Sequence, residues 1–346
     1  MAYTTINKST DYFNTVTYTG TGSSQNITGV GHNPDWVWIK RRNGTRSHRL
    51  FDNVRGVHKS VASNSNDAQA DNSYTLTGFI TDGFSLGSDS GNYGVNISGE
   101  TQVAWNWKAG GATGSSNNDG SVASTVSANT TAGFSICKFT YPSSGNFTFG
   151  HGLGVAPRMF ILKGITGTAN WQVYHESLGN TKNTQLNSSS ESNSAANWWG
   201  STSPTSTVCT VGADLIETGQ DAIAYCFAEK TGYSKFGSYT GNGNADGTFV
   251  YTGFAPAFVI TKNTSINDWW GLFDNKRLGY NSSDSPRILF PNTFDAESSS
   301  KVLDFTSNGF KIKTSNGAVN GSGNTIIYMA FGQTLVGSNN IPATAR

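Results

Sequence analysis

Charge is scarce in this chain: Asp, Glu, Lys and Arg make up 13% of its 346 residues, against about 25% in ordinary soluble domains. With 23 basic and 22 acidic residues the net charge is +1, so no general electrostatic pull toward nucleic acid or an anionic membrane is expected. Cysteine is equally sparse. Cys137, Cys209 and Cys226 are odd in number and widely spaced, which fits buried thiols better than a disulfide framework or a zinc site. No run of 18 apolar residues occurs and the stretch from Met1 to Tyr12 is polar. Neither a membrane-spanning helix nor a signal peptide is expected, and the chain reads as soluble and made in the cytosol. Sustained helical periodicity is missing too. What is there is 41 glycines, many Ser, Thr and Asn residues, and 20 Phe, 13 Tyr and 9 Trp; disordered chains are poor in aromatics, so this one can bury a core.

Aligned on Pro34, Pro157 and Pro256, the sequence repeats itself three times. Each proline opens an apolar run, Trp36-Val37-Trp38-Ile39, Met159-Phe160-Ile161-Leu162 or Phe258-Val259-Ile260, and six residues after the proline stands Lys40, Lys163 or Lys262. Fourteen residues past the proline come His48, Trp171 and Trp270, and seventeen past it Phe51, Tyr174 and Phe273. Leu50-Phe51-Asp52-Asn53 recurs as Leu272-Phe273-Asp274-Asn275, with Arg55 and Arg277 two residues on; the middle copy diverges and has His175 in place of the aspartate. Each unit opens at Tyr18, Tyr141 or Tyr239 and closes on Trp107, Phe227 or Phe331, spans of 89, 86 and 92 positions. Chance does not hold so many landmarks in step.

Short apolar stretches rich in Val, Ile, Thr and aromatics, separated by Gly, Asn, Ser and Asp clusters, read as strands. Several strands per unit predict two sheets burying each other's apolar faces, so the expected fold is all-β: three tandem antiparallel β-sandwich modules, jelly-roll or lectin-like, related by internal repeat. Residues 1–110 form the first module, 111–130 a Gly/Ser/Asn-rich linker, 131–231 the second module, and 232–346 the third with a short C-terminal tail. Each module is expected to hold its own two-layer core, the second and third packed closely and the first more loosely.

The opening Ala2-Tyr3-Thr4-Thr5-Ile6, the stretch Thr125-Val126-Ser127-Ala128-Asn129 leading to Gly133-Phe134-Ser135-Ile136, and Gly150-His151-Gly152-Leu153-Gly154-Val155-Ala156-Pro157 carry a resemblance. So do Gly232-Tyr233-Ser234-Lys235-Phe236-Gly237 and the ending Ile341-Pro342-Ala343-Thr344-Ala345-Arg346. Together they resemble an uncharacterised repeat family of structural and tail-fibre-like proteins of marine tailed phages. The resemblance implies a virion location and an all-β, lectin-like fold, and it brings no catalytic residues with it.

Two carboxylates flanking a sugar bond can hydrolyse it. Asp52 and Asp274 are the acids to test, but equivalent places in separate units mark them as turn residues. His32, His48, His58, His151 and His175 could serve a nucleophile, yet no Gly-x-Ser-x-Gly context accompanies them. No catalytic residue is assigned and the chain is not expected to be an enzyme. Calcium is the metal that suits lectin-like loops. Asp82, Asp89, Asn92 and Asn96 lie in one candidate region and Asn64, Asn66, Asp67 and Asp71 in another; neither has the spacing of a dedicated loop, so solvated turns are the simpler reading and no cofactor is assigned.

Sugar sites usually offer a flat ring with amides and hydroxyls at its edge. Trp198, Trp199 and Trp269 have no counterpart in the other units and are the ligand-binding candidates, with a module interface as the alternative use. Adjacent side chains of a strand point to opposite faces, so one ring of each Trp198-Trp199 and Trp269-Trp270 pair should face outward. Arg41, Arg42, Arg46 and Arg49, beside Lys40 and His48, form a basic cluster suited to a neighbouring subunit's acids or to polyanion phosphates, unless it is a solvated hairpin.

The leading expectation is a bacteriophage virion structural protein exposed on the particle, of tail-fibre or receptor-binding type, adhering to a host surface glycan. The alternative is a capsid (head) decoration or assembly protein without receptor binding; a polysaccharide depolymerase is a lesser third. Other virion proteins and further copies of the chain, in a homo-oligomer set by virion symmetry, are the expected partners. The expected location is the virion surface after synthesis in the host cytoplasm, without membrane insertion.

Overall fold

The computed structural model describes residues 4–334 apart from 112, 143–144, 195, 214, 278–280 and 282–286. The chain is nearly all-β, with several antiparallel sheets, and among the described residues no helix is long and apolar enough to cross a membrane.

Each sequence unit builds a principal sheet in one strand order. The opening strand pairs with the closing strand, that with the proline-led strand, and that in turn with the second strand. In the first unit these are Phe13–Thr19, Thr101–Trp107, Trp36–Arg41 and Arg49–Asp52. In the second they are Phe134–Thr140, Asp221–Phe227, Met159–Gly164 and Gln172–His175. In the third they are Ser234–Thr240, Thr325–Thr334, Phe254–Asn263 and Trp270–Asp274. The register repeats as well: Trp36 lies opposite Trp107, Met159 opposite Phe227, and Phe258 opposite Phe331. Pro256 sits beside a break in the ladder of its strand, a place where its missing N–H costs no regular pairing.

Alternation along the strands gives each principal sheet two apolar faces. One face packs on a smaller sheet of the same unit. Val37, Ile39 and Phe51 meet Ile27, Leu76, Phe84 and Leu86; Phe160, Leu162 and Tyr174 meet Phe147, Phe149 and Val211; Val259 and Phe273 meet Val250, Leu303 and Phe310. The opposite faces converge. Trp36, Trp38, Trp105 and Trp107 of the first unit, Met159, Ile161, Tyr225 and Phe227 of the second, and Phe258, Ile260, Met329 and Phe331 of the third belong to one buried cluster. Ring centroids across the unit boundaries lie 4.4 Å apart for Trp36 and Tyr225, 5.3 Å for Trp107 and Phe258, and 6.1 Å for Phe227 and Phe331.

This arrangement corrects the expectation of separate cores and of a loosely attached first unit. A proline-led run such as Trp36-Val37-Trp38-Ile39 is apolar at every position, and uninterrupted apolar runs belong to strands buried on both faces. The small sheets cover one face only, so a lone unit would leave its inner aromatics in water.

Hydrogen bonds along the seams run in a closed cycle. Trp171 Nε1 donates to Ala62 O at 2.8 Å, Trp270 Nε1 to Gln185 O at 2.9 Å, and His48 Nε2 bonds Phe290 O at 3.1 Å, joining second to first, third to second and first to third. Backbone bonds repeat the cycle: Gln69 N to Ile165 O, Ser192 N to Thr264 O, and Glu297 N to Arg42 O. The expected linker, residues 111–130, is not a free tether either. Its strands Ser115–Asn117 and Ser124–Asn129 add onto Phe134–Thr140 and, with two further strands at the other edge, extend the second sheet to eight strands.

Candidate functional site

Asp52 and Asp274 are fully buried at seams. Asp52 Oδ2 accepts from Arg55 Nε and, at 2.8 Å, from the hydroxyl of Tyr225 in the second unit. Asp274 Oδ2 accepts from Arg277 Nε at 2.6 Å and from Trp105 Nε1 of the first unit at 3.0 Å. At the corresponding second-unit position His175 Nε2 bonds Tyr328 O of the third at 3.1 Å. These carboxylates are committed to guanidinium and ring donors from different units, which leaves them no geometry for hydrolysis.

The histidines are committed similarly. His48 Nδ1 accepts from Trp38 Nε1 at 2.8 Å, which assigns the ring proton to Nε2 and thus to Phe290 O. His151 Nδ1 accepts from Leu153 N at 3.2 Å, and its Nε2 bonds Thr205 O at 3.2 Å. Burial lowers the pKa of both, and takes His32 and His175 down to about 4. Lys40, Lys163 and Lys262 are buried, each donating to the carbonyl of the next residue at 2.6 Å. Burial lowers them to about 7, about 8 and about 8.

Two arginines of the basic cluster, Arg42 and Arg41, find acids inside the chain. Arg42 makes two bonds of 3.0 Å to Glu297 of the third unit, where Arg277 and Arg287 also converge. Burial alone would raise the Glu297 carboxyl, but the Arg42 bonds and the surrounding guanidiniums hold it below the ordinary glutamate range. Arg41 pairs with Glu100 at 2.7 Å, and Arg49 lies 4.9 Å over the Tyr93 ring. Among the described residues, the Arg46 side chain bonds its neighbour's carbonyl, Thr45 O. The interface expected with another subunit is thus met, at Arg42, by another unit of the same polypeptide.

In the two calcium candidate regions the oxygens face N–H donors. Asp89 accepts from the backbone of Tyr93, Gly94, Val95 and Asn96 at 2.7 to 3.0 Å, and Asp82 from Gly29 and Gly31 at 2.9 and 2.6 Å. Asn64 Oδ1 accepts from His48 N, Asp67 accepts from the Ser65 hydroxyl, and Asn96 is tied to Thr21, Ser23 and Gly87. Asp71, at the end of the short strand Ala70–Asp71, and Asn92, in a loop, lie exposed. Converging amide N–H donors suit an anion, here the carboxylate itself, whereas a cation site needs oxygens turned toward the ion.

Trp199 is fully buried, with Nε1 donating to Lys182 O at 2.9 Å and its ring edge-on to Phe160 and Tyr174. Trp269 is half-buried, edge-on to Phe290 at 5.2 Å. Trp198 differs from both: half-buried against the second unit's core, it lines a cleft of about 790 Å³. Gly212 N holds the Trp198 carbonyl at 2.7 Å, and the Tyr141 hydroxyl holds Gly212 O. Across the cleft lie Asn170, Gln172 and Gln185 of the second unit, with Asn66 of the first and Glu217 at the rim. Gln172 is 4% exposed and its Oε1 accepts from Asn183 Nδ2 at 2.9 Å, which leaves its Nε2 as a donor to the cleft.

Of these residues the sequence pointed to Trp198, through its lack of a repeat counterpart. Gln172 and Glu217 carried no signal, because the walls come from places far apart in the chain. Glu297 was betrayed only by need, since arginines packed into a low-charge chain require an acid.

No curated protein matches the chain. A model for a domain of unknown function, DUF7483, matches residues 8–334, and the chain therefore belongs to the DUF7483 family.

Proposed function

We propose that the three units are copies of one β-sandwich module of jelly-roll or lectin-like type, and that the protein is a bacteriophage virion component exposed on the particle. In this reading it is of tail-fibre or receptor-binding type and adheres to host surface glycan without catalysing a reaction. The observation that carries it is the Trp198 cleft, a fixed aromatic wall facing amides, set in a body whose three sheets lock through one core. Rigid placement of a few polar groups around an apolar face is the general build of a small-ligand site. The motif resemblance supplies the virion context. Labelled full-length protein should bind host cells, and enzymatic stripping of surface glycans should abolish that binding; cells bound equally before and after stripping would overturn the reading.

One feature favours head decoration as a second reading. Phe249 and Tyr251, 45% and 58% exposed, lie two residues apart on an edge strand of the third unit, an apolar spot suited to a neighbouring virion protein. Density for the protein on capsid faces or vertices of imaged particles would select this reading over a tail role.

A further inference from the structure

We infer that the Trp198 cleft selects a neutral sugar chain, stacking one hexopyranose ring on Trp198 and reading its hydroxyls or acetamido group with Gln172 and Asn170; this rests on the glycan-binding reading above. The volume comes first: about 790 Å³ lies within the roughly 300–1,000 Å³ of small-ligand sites. The wall comes second. Among the described residues Trp198 stands in no ring–ring pair, whereas Trp199 is edge-on to Phe160 and Tyr174, and the half-buried Trp198 lends the cleft lining its apolar surface. A sugar ring carries just such an apolar face, rimmed by hydroxyls.

The polar groups come third. Gln172 Nε2 is a donor on a buried side chain whose other end is fixed by Asn183, and a donor so placed gains from any acceptor that enters. Asn170 is fixed the same way: its Oδ1 accepts from Asn187 Nδ2 at 2.9 Å, leaving its own amide N–H groups to donate. Charge comes last. Among the described lining residues there is neither lysine nor arginine, and the one carboxylate is Glu217, whose Oε2 accepts from Gln220 Nε2 at 2.8 Å. A uronate, a sialyl group or a lipopolysaccharide phosphate would meet a carboxylate and no cation, so acidic glycans are disfavoured. Of the arginines that might have served them, Arg42 and Arg41 are spent on Glu297 and Glu100.

The test is a panel of neutral hexose and N-acetylhexosamine oligosaccharides alongside sialylated and uronate-bearing counterparts, read by calorimetry and by tryptophan fluorescence on the full chain. Neutral members should bind, and Trp198→Ala should weaken them by about tenfold or more, as truncating a central aromatic does. Thr218→Trp, on the exposed rim, should block the cleft with an unchanged melting temperature, which keeps the result readable if Trp198→Ala fails to fold. Glu217→Gln should improve acidic members relative to neutral ones by roughly threefold. Neutral binding unaltered by both Trp198→Ala and Thr218→Trp would overturn the assignment of the site, and preference for acidic members would overturn the class. If no oligosaccharide binds while the protein still binds host cells in a glycan-dependent way, this inference falls and the wider reading stands; loss of cell binding as well sinks both.

Discussion

At Asp52 a single carboxylate accepts from Arg55 of its own unit and from Tyr225 of the next, all of it out of water. Removing one partner of a buried pair leaves an uncompensated charge, at a cost of about 3–5 kcal/mol. Asp52→Ala should lose that much stability in urea unfolding and Tyr225→Phe about 1–3 kcal/mol, the penalty of one unmet buried group. A loss below about 1 kcal/mol for Asp52→Ala would mean the seam can rearrange around Arg55. The sequence marked Asp52 and Asp274 as turn residues because they stand at equivalent places in separate units, where the middle copy has His175. It could not name Tyr225 or Trp105, which stand 173 and 169 positions away. The tryptophan pairs were half legible: Trp270 opens a strand and is buried beside a half-buried Trp269, whereas Trp198 and Trp199 stand in a turn, so strand alternation is not what buries Trp199 and leaves Trp198 at the cleft.

Among the elements, the short link between Val208–Val211 and the cleft is the most constrained. Gly212 holds the Trp198 carbonyl, and a Cβ at this glycine would run into the carbonyl oxygen of Asn197. Gly212→Ala should therefore lower the melting temperature and weaken sugar binding together, whereas a change at exposed Tyr251 should affect neither; the two variants can be compared by calorimetry. The strands were readable from their spacing, and the chain is nearly all-β with several antiparallel sheets. Their partners beyond the unit were not readable. An apolar run tells that a strand is covered on both faces, but whether by its own small sheet or by a neighbouring unit depends on contacts between Trp36 and Tyr225 or Trp107 and Phe258, which no local pattern encodes. The Gly- and Ser-rich stretch before Phe134 likewise reads as a linker by composition, yet its backbone groups pair along Ser124–Asn129 because the opening strand offers them a free edge.

For the whole molecule, the shared cluster predicts one cooperative unfolding transition. Three independent units would melt in up to three steps; here fluorescence from core tryptophans and the far-ultraviolet signal should coincide, with a calorimetric enthalpy equal to the van't Hoff value. The direction of pH dependence follows from the buried histidines. His32 and His175, held near 4, and His48 and His151, also lowered by burial, titrate near 6.5 once unfolded. Below that value the unfolded chain binds protons that the fold refuses, so the histidines' contribution to stability is full above about pH 6.5 and declines as pH falls toward 4. Lys40, Lys163 and Lys262 act with the same sign at higher pH: lowered to about 7 or 8 in the fold against about 10.4 unfolded, they make stability rise from pH 7 toward 10. Urea midpoints that stay flat from pH 4 to 6.5 would contradict the burial of these rings.

The cycle of seams closes only where the first unit meets the third, at His48 with Phe290 and Arg42 with Glu297, residues separated by 242 and 255 positions. A ribosome delivers the first unit long before the stretch that must cover its tryptophans. Until that stretch emerges, the growing chain holds a wet aromatic face with nothing of its own to shield it, and contacts so distant in sequence form slowly. Synthesis of this polypeptide thus passes through a sticky interval that ends with its last hundred residues, and fragments cut short of Glu297 should collect as aggregates rather than as smaller soluble copies.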